Sequence, residues 1–252
     1  MLSSTERFST RVEDYIKYRP GYPAAVLELL RVRCGLAATA TVADIGSGTG
    51  ILTELLLETG AQVFAVEPNK EMREAAERLL RDYGRFRSVN GTAEATTLPE
   101  ASVDLITASQ AFHWFDVPNA RRELARVLKP LGWVVLIWNE RPPEPGTFLE
   151  EYDRLLRRHA ADYDRVTRMR ADEAKIREFF GRRPHGAVFA NQQVFDFAGL
   201  KGRLMSSSYA PEPGHPEHEP MIAGLRALFE RHSRAGKVVF PYRTLVYYDR
   251  LD

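Results

Sequence analysis

The chain has 252 residues, 44% hydrophobic and 27% charged, which suits one large domain or one domain with an elaborate cap. Thirty-five basic side chains, only six of them Lys, face thirty-four acidic ones, and a net charge of +1 gives no reason to expect a nucleic-acid partner. The single cysteine, Cys34, excludes an intramolecular disulfide and a Cys-rich zinc site, and the absence of both a long apolar run and an apolar leader in MLSSTERFSTRVEDY implies a soluble, cytoplasmic chain without a membrane partner.

Residues 1–35 hold two short helical stretches around Tyr18-Arg19-Pro20-Gly21-Tyr22-Pro23, the second opened by Pro23 and closed by Gly35. From residue 41 short apolar runs alternate with amphipathic stretches, as in a parallel sheet flanked by helices. TVADI (41–45) reads as a strand, ILTELLLETG as a helix closed by Gly60, and AQVFAVE (61–67) as the next strand. Asn69 is placed to cap a helix over 70–83. Strands follow at 86–90 and 102–109, then a helix over about 118–128 and a strand over 132–139. Together they predict an α/β, Rossmann-like, doubly wound core over 41–139. RPPEPG (141–146) reads as a stiff linker, and Thr147 with Glu150 has capping-box spacing. Cap helices are expected over 147–185 and 199–235, around a Pro-rich loop, PEPGHPEHEP. The last strands are expected at 188–197 and 237–251, with Pro241 marking an edge or a bulge.

Asp44-Ile45-Gly46-Ser47-Gly48-Thr49-Gly50 joins the first strand to the first core helix, where glycines let the backbone turn tightly and approach a ligand. Glu67 ends the second strand, where a carboxylate accepts both hydroxyl hydrogens of a ribose. The spacing is G-x-G-x-G, with Ile51 where the dinucleotide fingerprint has its third glycine. Asp44, beside the loop, would repel a pyrophosphate but suits a ligand with an ammonium and a sulfonium charge. S-adenosylmethionine (SAM) fits these features and NAD fits poorly.

VADIGSGTG, VFAVEPNKEM, GTAEATTLP, SVDLITASQAFHWFD and LARVLKPLGWVVLIW resemble the successive motifs of class I SAM-dependent methyltransferases. The His-Trp pair and YRPGYP are similar to the small-molecule branch, with its trans-aconitate, juvenile-hormone-acid and quinone-biosynthesis types. The resemblance implies a seven-stranded sheet with an antiparallel last strand, plus a helical lid over 1–35. It implies that Gly46, Ser47, Gly48, Thr49 and Gly50 meet the methionine end of SAM, with Asp44 near its amino group. Glu67 would hold the ribose, Pro68 and Met72 would lie by the adenine, and Ala93-Glu94 would read its edge. Many relatives carry Asp where this chain has Thr92, so the backbone near Ala93 is the better candidate there. Ser109 and Gln110 would flank the transferable methyl.

Gln110-Ala-Phe-His-Trp-Phe-Asp116 leaves the fourth strand at the carboxyl edge of the sheet, where ligands bind in such folds. Trp114 and its neighbours either wall an apolar pocket or pack the core. His113 is either a general base, with Gln110 the other catalytic candidate, or a satisfied hydrogen-bonding group. Tyr15, Tyr18, Arg19 and Tyr22 form the expected lid and substrate contacts; Arg19 either pairs with a carboxylate or packs by its stem on a tyrosine. His215 and His218 read as parts of a solvated loop, and no metal is expected. The expected partner is a small-molecule methyl acceptor, its receiving atom a carboxylate oxygen by analogy. A SAM-binding sensor or assembly factor without transferase activity is the alternative. An RNA methyltransferase ranks last, because 150–183 carries ten basic against eight acidic residues.

Overall fold

In the computed structural model, residues 12–141, 144–164 and 172–251 are described. Parts of the polar start, of the RPPEPG linker and of the Arg-rich cap region therefore lie outside the described residues. The helices are α1 (Val12–Tyr18), α2 (Ala24–Cys34), α3 (Ile51–Glu58), α4 (Lys70–Leu79), α5 (Val117–Val127), α6 (Phe148–His159), α7 (Glu173–Phe180), α8 (Phe197–Met205) and α9 (His218–His232). The strands are β1 (Thr41–Ile45), β2 (Gln62–Val66), β3 (Phe86–Val89), β4 (Val103–Ser109), β5 (Leu128–Glu140), β6 (His185–Phe195) and β7 (Val238–Asp249).

The seven strands form one sheet in the order β3-β2-β1-β4-β5-β7-β6. β1 to β5 pair in parallel, and β7 runs antiparallel to both β5 and β6. This is the doubly wound, seven-stranded sheet with an antiparallel last strand. The chain winds outward from β1 to β3 on one side and from β4 to β5 on the other. Loops leaving β1 and β4 therefore diverge, opening a crevice at the carboxyl ends of those strands.

The period of two along β5 assigns its faces: Val134, Leu136 and Trp138 pack under α5 and α7, while Val135 and Ile137 pack under α2 and α3. Both faces are covered, which is why β1 reads as an unbroken buried run instead of an alternating one. A third cluster joins α6, α8 and α9 to the far half of the antiparallel β6–β7 pair through Tyr152, Leu200, Leu225 and Phe240. This is the cap.

Local signals are realised with small shifts. Asn69 caps α4 by accepting from the Met72 N–H at 2.8 Å, but the helix ends at Leu79, four residues early, where Leu80 turns inward against Gly50. Thr147 accepts from the Glu150 N–H, while Glu150 reaches Gly146 N–H instead of Thr147, a capping box displaced by one residue. β5 begins at Leu128, with Lys129 to Gly132 looped out opposite Asp104. Pro241 lies in a strand with neighbours on both sides. Pairing with β5 ends at Glu140↔Arg243, however, so Pro241 occupies the part held by β6 alone, where a missing N–H is tolerated. Among the described residues no helix is long and apolar enough to cross a membrane.

Candidate active site

The turn after β1 is built on three left-handed glycines, with φ of 66° at Gly46, 59° at Gly48 and 89° at Gly50. Each has its own reason. A Cβ at Gly46 would sit 2.5 Å from the Ala111 Cβ, and one at Gly50 would sit 2.7 Å from Leu80 Cδ1. A Cβ at Gly48 would meet nothing within 4 Å, because that residue faces open space. The first and third glycines thus let the turn pack against β4's loop and α4, and the second leaves room above it.

Glu67, just past the end of the neighbouring β2, holds the turn. Its Oε2 accepts from the Gly48 N–H and its Oε1 from the Asn69 N–H, both at 2.9 Å. Burial raises its pKa above the usual carboxylate range, and those two N–H groups and Arg73 oppose the rise. Each oxygen retains a lone pair for a further donor. Asp44 lies beneath the turn, fully buried, accepting from Thr53 at 2.7 Å and from Thr107 at 2.8 Å. Burial pushes its carboxyl up to about 6 despite the two hydroxyls, with the nearby Glu67 charge adding to the rise.

The crevice is a cleft with about 940 Å³ of empty space, its mouth included. Its walls are Gly46, Gly48, Glu67, Pro68, Asn69 and Met72 on the β1–β2 side, and Ser109, Gln110, Ala111, Trp114 and Phe115 on the β4 side. Thr92, Ala93, Glu94 and Tyr15 complete it. The Thr92 hydroxyl accepts from the Glu94 and Ala95 N–H groups of its own turn, and Glu94 Oε1 accepts from the Asp116 N–H. Gln110 takes a left-handed backbone, φ 56°, unusual for a side chain of its length, and its Nε2 donates to the Asn139 carbonyl at 3.2 Å.

Several expected contacts lie elsewhere. Asp44, Ser47, Thr49 and Gly50 are under or behind the turn, not on the cleft wall. Phe112 is core, edge-on to Phe115, Trp138 and Phe179. His113 stands on the 3-10 turn Phe112–Trp114 beside the Trp114 ring, 4.8 Å between centroids, and is absent from the lining. The reason is the turn itself: three residues per revolution point Trp114 and Phe115 inward and direct His113 away. Of the lid residues, Tyr15 lines the cleft and Tyr22 lies beside Ser109, with burial raising its pKa. Tyr18 lies flat over Gly202, where a Cβ would come within 2.0 Å of its ring. Arg19 turns toward the cap, donating to Ser206 O at 2.8 Å. The Gly21 carbonyl is clamped by Asn139 and Asn191, which fixes this segment over the sheet edge. His218 is buried with Nδ1 against Pro211 O, and His215 Nδ1 accepts from the Glu217 N–H. Sequence reasoning missed Asn69 and Ala111 as wall residues and left Phe115 open between wall and core. Asn69 had a visible signal as a cap, and Ala111 is small because Gly46 packs on it.

Residues 43–136 match the family model described as a methyltransferase domain. This stretch is a methyltransferase domain. The chain is 38% identical over 160 residues to the uncharacterized methyltransferase Rv3342 of Mycobacterium tuberculosis, and 37% identical over 159 to the uncharacterized methyltransferase YcgJ of Bacillus subtilis. Those matches span 64% and 61% of this chain but only 63% of each relative. In fold, the chain is similar to a structure assigned as a type II methyltransferase from Anaeromyxobacter dehalogenans, with a TM-score of 0.62 at 23% identity over 93% of this chain and 98% of that one. The residues of the methyltransferase domain also fit its cofactor. A Cβ at Gly48 would meet nothing, and the Glu67 carboxylate lines the cleft beside it, which leaves both room and acceptors for a ligand there.

Proposed function

We propose that the chain transfers a methyl group from SAM to a small organic acceptor, with a carboxylate oxygen as the receiving atom. The observation that carries the reading is Glu67: a buried carboxylate that pins the open glycine of the β1 turn while keeping lone pairs toward the cleft. Bound there, SAM supplies a methyl on a sulfonium, which leaves as a neutral thioether holding the bonding pair. Glu67 would hold the ribose hydroxyls, and Asp44 would act through its charge beneath the turn, since it is fully buried there and off the cleft wall. Pro68, Met72, Thr92, Ala93 and Glu94 would line the adenine end.

The other end is walled by Tyr15, Ser109, Gln110, Ala111, Trp114 and Phe115, with no imidazole, amine or carboxylate among them. A carboxylate acceptor suits such a wall, because its oxygen already carries the electron pair that forms the new bond to carbon. No proton needs removal. The wall's contribution is alignment and exclusion of water. Titration calorimetry is expected to show SAM and S-adenosylhomocysteine (SAH) bound, and Glu67→Ala weakening both by more than tenfold. Binding of NADH without SAM would overturn the reading. Turnover of labelled SAM against carboxylic acids, phenols and amines checks the transfer, and SAH binding with no turnover on any of them would favour a sensor or assembly factor.

A further inference from the structure

Beyond the cofactor cleft three arginines meet, each from a different element: Arg19 after α1, Arg141 after β5 and Arg203 in α8. Arg203 is 4% exposed. Its Nε donates to the Tyr242 hydroxyl at 3.0 Å and its Nη1 to Ser207 Oγ at 3.2 Å. Arg141 Nη2 donates to the Tyr209 hydroxyl at 3.1 Å. The guanidiniums of Arg141 and Arg203 each stand 5.8 Å from the Phe240 ring, and Arg141 is 5.4 Å from the ring of Tyr152.

Every one of these partners is neutral. Among the described residues no carboxylate pairs with any of the three arginines, although Arg126, Arg154 and Arg182 elsewhere each hold one. Burial, and then the neighbouring Arg203 charge, lower the Arg19 pKa to about 10. Burying like charges together is costly unless something compensates them. Aromatic faces and hydroxyls compensate part of the cost. They leave Arg19 Nε, Arg141 Nη1 and the Tyr152 hydroxyl buried with no hydrogen-bond partner, so the set is short of acceptors.

The cluster adjoins the methyl end of the cleft. Arg19 stacks at 4.7 Å on Tyr15, which lines the cleft, and Arg141 lies two residues past Asn139, whose carbonyl receives Gln110. We propose that Arg19, Arg141 and Arg203, with Tyr152, bind the carboxylate groups of a small organic acid that serves as the methyl acceptor. A guanidinium fork matches a planar carboxylate and supplies the donors that lack acceptors here. Its role as acceptor rests on the methyltransferase reading; the anion site itself does not.

The test is calorimetry on the full chain with succinate, propane-1,2,3-tricarboxylate and benzoate, with succinamide and inorganic phosphate as controls, each with and without SAH. At least one acid is expected to bind and succinamide is not. Arg141→Gln and Arg203→Gln are each expected to weaken that acid by tenfold or more while SAH affinity stays within threefold. If Arg203→Gln does not fold, Arg141→Met gives the second readout: its ligand-free Tm is expected to rise as its acid binding falls. The proposal fails if no acid binds the wild type, if acid binding survives substitution of both arginines, or if phosphate binds and no carboxylate does. Failure of SAH to bind, with acids still bound, would sink the methyltransferase reading and leave the anion site standing.

Discussion

The two ends of the site are built on opposite charges. At the cofactor end the buried ionisable groups are acids, Asp44 and Glu67, each satisfied by hydroxyl or backbone donors. At the cap end they are arginines, incompletely satisfied and held by tyrosines. A cationic sulfonium donor and an anionic acceptor are the pair such a field would align. The ends also differ in what holds them. The cofactor end depends on backbone, three positive-φ glycines and a strained Gln110 on rigid strands. The cap end depends on side chains from α8, β7 and two loops.

That difference sets the scale of the expected effects. Gly46→Val should be the most damaging: its Cβ meets Ala111 and its φ is left-handed, so both domain stability and SAH binding should collapse, with about 3 kcal/mol or more lost in denaturant unfolding. A Gly46→Val protein of unchanged Tm would refute the view that backbone shape governs this end.

Asp44→Asn should separate charge from shape. The folded-state pKa of Asp44, about 6, lies above its ordinary 3.8, so the protonated form is the one that favours folding. Its contribution is fully present below pH 4 and is lost as pH rises through 6. Ionisation at neutral pH costs on the order of 3 kcal/mol. Asp44→Asn should therefore melt several degrees above the wild type at pH 8, with the gap closing toward pH 4, while SAM affinity falls. A gap that does not change with pH would mean that the buried charge is not the cause. Smallest is His113→Gln: off the cleft wall, it should leave kcat/KM for a carboxylate acceptor within threefold. A hundredfold loss would restore it as a base and point to an acceptor that must lose a proton.

The core was legible because its signals are local. A period of two identifies strands, Asn69 and Asp116 cap helices beside them, and Gly46 to Glu67 spans one β-α-β unit. The wall residues Met72, Ala93 and Ser109 came from the family resemblance of the motifs, and Trp114 from its place just past the fourth strand. The roles of individual glycines were not legible, because Gly50 answers to Leu80 and Gly46 to Ala111, contacts made only when layers pack. The position of His113 was not legible for a related reason, as one residue of rotation in a 3-10 turn decides whether a side chain joins the wall. The abundance of arginine looked like composition alone, with twenty-nine of the thirty-five basic residues being Arg.

By itself, then, the sequence determined the doubly wound core and the cofactor crevice, because each follows from periodicity and spacing within a few dozen residues, while the antiparallel last strand came from the family resemblance of its motifs. Only the tertiary structure decided that Arg19, Arg141 and Arg203, up to 184 positions apart, meet in one buried cluster. No local pattern encodes that meeting. It arises from the way α1, the end of β5 and α8 close over the same edge of the sheet, and a buried charge without a counter-charge becomes visible only once the burial is known.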